Sequence, residues 1–236
     1  MRLSLAALAV LVTVQQKPLV FEKQVGDKNV RYNYFLYLPK GYEEKGAKKW
    51  PLVIFLHGMG ERGDDINKVK IHGIPKVVEK KDFPFVAASP QCPLTTDWRK
   101  EAANLNAFLD ELLEKNAVDP DRVYLTGLSM GGYGTWTWSC ANPDRFAALV
   151  PICGGGDPSQ AKAIKDIPTW VFHGAKDRAV PLKKSEEMVE AMKAAGGDPK
   201  FTVYPEAGHD SWTVSYDNPE LYEWMLKQVR KKPAGK

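Results

Sequence analysis

Gly127-Leu128-Ser129-Met130-Gly131 stands between two stretches of different character. Val123, Tyr124 and Leu125 before it read as a buried strand, and Tyr133 to Ala141 after it read as a helix. A serine between them sits on a tight strand-to-helix turn. Glycines two positions to either side remove the side chains that would collide there. The turn lifts the hydroxyl into solvent at the end of the strand. The same five residues can also form a plain structural turn, so the reading depends on what the chain supplies elsewhere.

Three other segments supply it. Trp170, Val171 and Phe172 read as a strand, and His173-Gly174-Ala175-Lys176-Asp177 follows, placing a carboxylate just past the strand end. Phe201 to Tyr204 read as another strand, with Gly208-His209-Asp210-Ser211-Trp212 after it. Reactive groups in open α/β sheets collect at the carboxyl ends of strands, so Ser129, Asp177 and His209 are expected on one edge of one sheet. Asp210 and Asp157 are rival carboxylates. Asp210 would have to fold back on its own neighbour, and Asp157 is explained equally well by a surface turn. The third segment, Leu52 to Leu56, is apolar throughout, as expected of a central strand buried on both faces, and it ends in His57-Gly58-Met59-Gly60. Backbone N–H groups of Met59 and Met130 are the expected donors to an oxyanion, with the loop donor open by one position.

Five blocks together resemble a known family. They are Leu56-His57-Gly58-Met59-Gly60-Glu61-Arg62-Gly63, Ser89-Pro90-Gln91-Cys92-Pro93, Gly127 to Trp136, His173 to Asp177, and Gly208 to Trp212. The chain resembles single-domain α/β-hydrolase esterases near the dienelactone-hydrolase and prolyl-oligopeptidase-like groups. It is most similar to small bacterial carboxylesterases, some labelled peptidases and some feruloyl-esterase-like. The resemblance implies a mostly parallel central sheet with helices on both faces, no large lid domain, and serine-ester hydrolysis without metal or organic cofactor.

Composition agrees with one such domain. The chain has 236 residues, of which 44% are hydrophobic, enough for a two-sided core. Net charge is +4, falling to +3 if a leader containing Arg2 is removed. The basic residues are scattered apart from Lys227, Arg230, Lys231, Lys232 and Lys236, which argues against nucleic acid as a partner. Arg2 followed by the mainly apolar run Leu3 to Val14 reads as a signal peptide over residues 1–14, with residues 15–236 as the catalytic domain and a secreted or periplasmic destination. That run is too short to span a bilayer comfortably, and no membrane span is expected after cleavage. An uncleaved anchor or an extra strand are the alternatives. Cys92, Cys140 and Cys153 leave at least one thiol free, and buried free thiols are expected.

Val30, Tyr32, Tyr34, Leu36 and Leu38 alternate with Arg31, Asn33, Phe35 and Tyr37, predicting an early strand with two distinct faces near the sheet edge. Phe85 to Ala88 and Ala147 to Ile152 supply further strands. Ala102, Leu105, Leu109 and Leu112 mark one amphipathic helix, and Met188, Val189 and Met192 another. Asn218 caps a last helix with Pro219 in its first turn and Leu221, Trp224, Met225 and Val229 inward. His57 and His173, each ending a strand before glycine, are expected to shape loops; His72 has no evident partner. Four histidines without His-x-x-x-His or His-x-His spacing give no protein metal site. Glu61, Arg62 and Asp64 are a candidate rim network, and Gly60 to Val78 a short polar cover unlike a lipase lid.

The expected chemistry is attack by Ser129, proton transfer through His209, and orientation of that ring by Asp177. Trp98, Tyr133 and Trp212 are candidate substrate-binding aromatics, whereas Trp136 is expected in the core. The expected substrate is a small-molecule or polysaccharide-linked ester with a short-chain, aryl or feruloyl-type acyl group. Two alternatives are a serine peptidase of prolyl-oligopeptidase-like type and a non-catalytic carbohydrate- or partner-binding domain. Oligomeric state is not legible.

Overall fold

The computed structural model describes residues 15–231; the expected leader and the lysines beyond position 231 lie outside the described residues. Eight strands form one sheet: β1 (Gln15–Val25), β2 (Lys28–Leu38), β3 (Trp50–Leu56), β4 (Val86–Pro90), β5 (Val118–Leu128), β6 (Ala148–Ile152), β7 (Trp170–Gly174) and β8 (Lys200–Tyr204). Their order across the sheet is β1-β2-β4-β3-β5-β6-β7-β8. Strands from β4 to β8 run parallel, and β2 is antiparallel to both its neighbours.

Helices cover both faces because the central strands are apolar on both. All seven residues of β3 are buried, and its side chains alternate between two cores, as the two-residue period of a strand requires. Leu52, Ile54 and Leu56 face one core, closed by α2 (Trp98–Lys115), α3 (Met130–Ala141) and α4 (Lys183–Ala194). Val53 and Phe55 face the other, closed by α1 (Gly73–Val77), α5 (Trp212–Asp217) and α6 (Pro219–Leu226). Each fully buried aliphatic or aromatic side chain contributes roughly 1.5–3 kcal/mol, so this double core is the main stabilising term. The α2 pattern read from sequence holds, extended by Trp98 and Phe108, and Asp97 caps it by accepting from the Arg99 N–H. Among the described residues no helix is long and apolar enough to cross a membrane.

The early strand β2 lies near the sheet edge as expected, second in the order, with β1, mixed in polarity and interrupted by Pro18, pairing outside it along its whole length. Its two faces are distinct as expected: Val30, Tyr32, Tyr34 and Leu36 are buried in the first core, and Phe35 and Tyr37 in the second. One expectation needs correction. The terminal helix is capped by Asn218 as expected but stops at Leu226, which leaves Val229 exposed rather than inward.

The Ser129 turn is held by close backbone contact. Ser129 has φ 51° and ψ −115°, a left-handed-side conformation costly for a residue with a Cβ. A Cβ on Gly131 would lie 1.8 Å from the Leu56 carbonyl oxygen, and one on Gly127 would lie 2.4 Å from the Gly131 carbonyl oxygen. The helix therefore starts within backbone contact of β3. Gly131→Ala is predicted to destabilise the fold by about 3 kcal/mol or more, seen as a melting temperature lowered by roughly 6–12 °C. A variant melting with the wild type would contradict this account of the turn.

Candidate active site

The three expected residues meet in one hydrogen-bonded line. Ser129 follows β5, Asp177 lies three residues past β7, and His209 lies five residues past β8. Ser129 Oγ is 2.9 Å from His209 Nε2, and His209 Nδ1 is 2.7 Å from Asp177 Oδ2. A carboxylate can only accept, so the imidazole proton sits on Nδ1 and Nε2 is left to accept from the Ser129 hydroxyl. The two partner loops are tied together by backbone bonds: Ala175 N–H donates to the Tyr204 carbonyl and Lys176 N–H to the Ala207 carbonyl, each at 2.9 Å. Gly174 permits this approach, because a Cβ there would lie 2.1 Å from the Gly208 carbonyl oxygen.

The Asp177 side chain is fully buried yet held as an anion. Burial alone would raise its pKa, but the bond from His209 and the N–H groups of Val180 and Ala179, at 2.9 and 2.8 Å from Oδ1, outweigh it and leave the value below 3.8. The rival carboxylates are engaged elsewhere: Asp210 accepts from Thr213 N–H and Asp157 from Ser159 N–H. Met130 is the first residue of α3, and Met59 the first residue of a 3-10 turn spanning Met59–Glu61. First-turn N–H groups have no intrahelical acceptor, so both remain available to a ligand oxygen.

A cavity of about 400 Å³ opens beside Ser129 and His209. Met59, Met130, Tyr133, Ala179 and Val180 give it apolar walls, and Arg62, Asp97 and Arg99 a charged side. Of the candidate aromatics, Tyr133 lines this cavity, with the Arg99 guanidinium 5.7 Å from its ring centre. Trp98 does not reach it. Its ring is buried in the core and its Nε1–H donates to the His57 carbonyl. Trp212 instead backs the His209 ring edge-on, 5.1 Å between centres, and lines a separate depression of about 160 Å³ with His72. Trp136 is buried as expected.

The charged loop is a clamp more than a rim. Arg62 donates to the carbonyls of Met59, Leu94 and Thr96, joining two loops, while Glu61 is buried and the Asp64 carbonyl accepts from Asn33. Within Gly60 to Val78, Arg62 is the residue that lines the cavity. Sequence reasoning named Arg62 only within a rim network and passed over Asp97, Arg99, Ala179 and Val180 as wall residues. Asp97 carried a signal, since it caps the helix behind it. All three cysteines are free; Cys92 and Cys153 are buried and their thiols pushed up to about 12, chiefly by desolvation. Among the described residues one set of possible metal-ligating atoms lies together, Cys153, Asp177 and His209, and the last two already bond each other.

This arrangement on a mostly parallel sheet is that of an α/β-hydrolase-fold protein. Residues 93–220, more than half of the chain, match the Dienelactone hydrolase family, and the chain belongs to that family. It is 31% identical over 104 residues to a Salmonella typhimurium protein named "Putative carboxymethylenebutenolidase", covering 40% of this chain and 38% of that protein. It is 26% identical over 172 residues to the "Probable feruloyl esterase C" of Aspergillus terreus, covering 70% and 62%. The crystal structure of a thermostable esterase superposes with a TM-score of 0.77 at 36% identity, over 90% of this chain and 63% of that one. The chain thus spans less than two thirds of the length of each of these proteins.

His57, at the start of the Met59 loop, is a buried structural imidazole. Cys92 N–H donates to Nε2 at 2.9 Å, which places the ring proton on Nδ1, 2.6 Å from the Gly58 carbonyl. Charging the ring would set a second N–H against that of Cys92. Desolvation accordingly lowers its pKa from 6.5 to about 4. A depressed folded-state value means stability is full above pH 6.5 and is lost as pH falls toward 4, by on the order of 3 kcal/mol. Denaturant titrations across that window should give a shallower pH slope for His57→Gln than for the wild type; equal slopes would refute the assignment.

Proposed function

We propose that this chain is a serine carboxylesterase hydrolysing short-chain or aryl, including feruloyl-type, carboxylic esters through an acyl-enzyme. The supporting observation is the line from Ser129 Oγ through both nitrogens of His209 to Asp177, at 2.9 and 2.7 Å. Ser129 attacks the ester carbonyl while Nε2 takes its proton, and the N–H groups of Met130 and Met59 stabilise the oxyanion. The proton then passes from Nε2 to the departing alcohol, the C–O bond breaks, and Nε2 activates water to release the acid. Asp177 fixes the Nδ1–H tautomer and balances the imidazolium.

The cavity supports modest acyl groups. Its volume of about 400 Å³ and single lining aromatic, Tyr133, suit a short chain or one ring better than a long alkyl chain. The kinship with esterases supports esters over amides. Export is proposed from Arg2 and the apolar run Leu3 to Val14.

The test is hydrolysis of a graded p-nitrophenyl ester series and methyl ferulate, with Ser129→Ala as control. Turnover of short or aryl esters is expected, falling by on the order of 10⁴ or more in the variant. Equal rates in both proteins would overturn the Ser129 mechanism, and cleavage confined to peptide amides would overturn the ester assignment. Recovery of a cell-envelope or extracellular chain lacking its first residues would support export; full-length protein in the cytoplasm would refute it.

A further inference from the structure

Asp177 faces a second imidazole. His173, the penultimate residue of β7, is fully buried, and its Nε2 lies 2.9 Å from the Val180 carbonyl and 3.3 Å from Asp177 Oδ2, the oxygen that also accepts from His209. Both atoms facing Nε2 are acceptors, so Nε2 carries a proton. On the other side of the ring, Ser185 Oγ from α4 lies 2.7 Å from Nδ1 and 3.0 Å from the Gly154 carbonyl. Desolvation lowers the His173 pKa from its ordinary 6.5, against the opposing pull of the Val180 carbonyl and Asp177.

We propose that His173 is a positioning residue for the reaction at Ser129: a second imidazole N–H, shared between Val180 and Asp177, that fixes the carboxylate for His209. This rests on the esterase reading above. Val180 makes the link specific. Its N–H donates to Asp177 Oδ1 at 2.9 Å, its carbonyl accepts from His173, and its side chain lines the cavity. His173 therefore grips the 177–180 turn from behind and supplies part of the positive potential that Asp177 needs when buried. Besides the two histidines, the titratable group at this carboxylate is Cys153, whose Sγ lies within 4.8 Å of both Asp177 and His209 ligand atoms and whose raised pKa keeps it neutral. Asp210, beyond Cys153, is exposed.

Removing the His173 donor leaves the carboxylate charge less neutralised at His209, which favours the imidazolium and moves the acid limb of the rate profile to higher pH. The experiment compares His173→Leu, which has no donor, with His173→Gln, whose amide presents N–H groups near the Nε2 position. Expected for the leucine variant is a kcat lowered on the order of tenfold per folded protein, a smaller change in KM, and an acid limb displaced upward; glutamine restores most of both. A leucine variant that merely melts lower, with wild-type kcat and acid limb, overturns the proposal, as does equal impairment of the two.

A second measurement is independent of turnover and of whether His173→Leu folds. In ¹⁵N-histidine-labelled protein, Asp177→Asn should move the His173 Nε2–H resonance together with the His209 Nδ1–H resonance. A His173 signal unchanged by Asp177→Asn overturns the proposal. Activity that survives Ser129→Ala would instead strike the esterase reading, while the resonances still decide whether the two imidazoles share Asp177.

Discussion

The approach of the Ser129 turn to the end of β3 governs the rest of the site. Gly131 comes so near the Leu56 carbonyl that no side chain fits between them, and Gly132 comes similarly near the Ile152 carbonyl of β6. Leu56 leads directly into His57, Gly58 and Met59, so the contact that seats the serine also sets its distance from the Met59 N–H. Ile152 leads into Cys153, whose Sγ lies within 4.8 Å of the Asp177 and His209 ligand atoms. Hard-core repulsion between backbones fixes these relations, and it does not soften with salt or pH as side-chain bonds do.

On that frame the polar groups are placed by mutual saturation. His57 takes an N–H from Cys92 and gives one to Gly58; Asp177 takes bonds from two backbone N–H groups and one imidazole, with a second imidazole close by. A buried carboxylate without such partners would be neutralised by protonation. Here its surroundings keep it charged. The cost of burying the anion is thereby converted into a fixed orientation for His209.

Much of this was legible in the sequence, for reasons particular to each element. The five buried residues Leu52 to Leu56 could be read because a strand covered on both faces has no polar interruption. The Ser129 turn could be read because its glycines are sterically obligatory. Asp177 and His209 could be read because they follow apolar runs at short distance. β1 could not: among its residues 16–25 the one fully buried residue is Phe21, and an edge strand with one such anchor has little periodicity. The fate of the tryptophans was equally hidden. Trp98 and Trp212 both stand close in sequence to site segments, and whether such a ring turns inward or toward the cavity depends on helix rotation, which proximity along the chain does not encode. The second imidazole on Asp177 was obscured because His173 precedes a glycine at a strand end, where loop shaping is explanation enough.

Ala179 and Val180 give the acid loop a further property. Their N–H groups hold Asp177 while the same two residues line one wall of the cavity. Selectivity and rate are therefore inseparable on that wall: an insertion that widened it would also swing the carboxylate. Elsewhere around the cavity Met59 supplies an oxyanion N–H and Arg62 clamps its loop, whereas the side chains of Tyr133 and Arg99 carry no such burden. Any attempt to retarget the protein has those two side chains as its free parameter, with the acid loop remaining a hinge pin that cannot be recut.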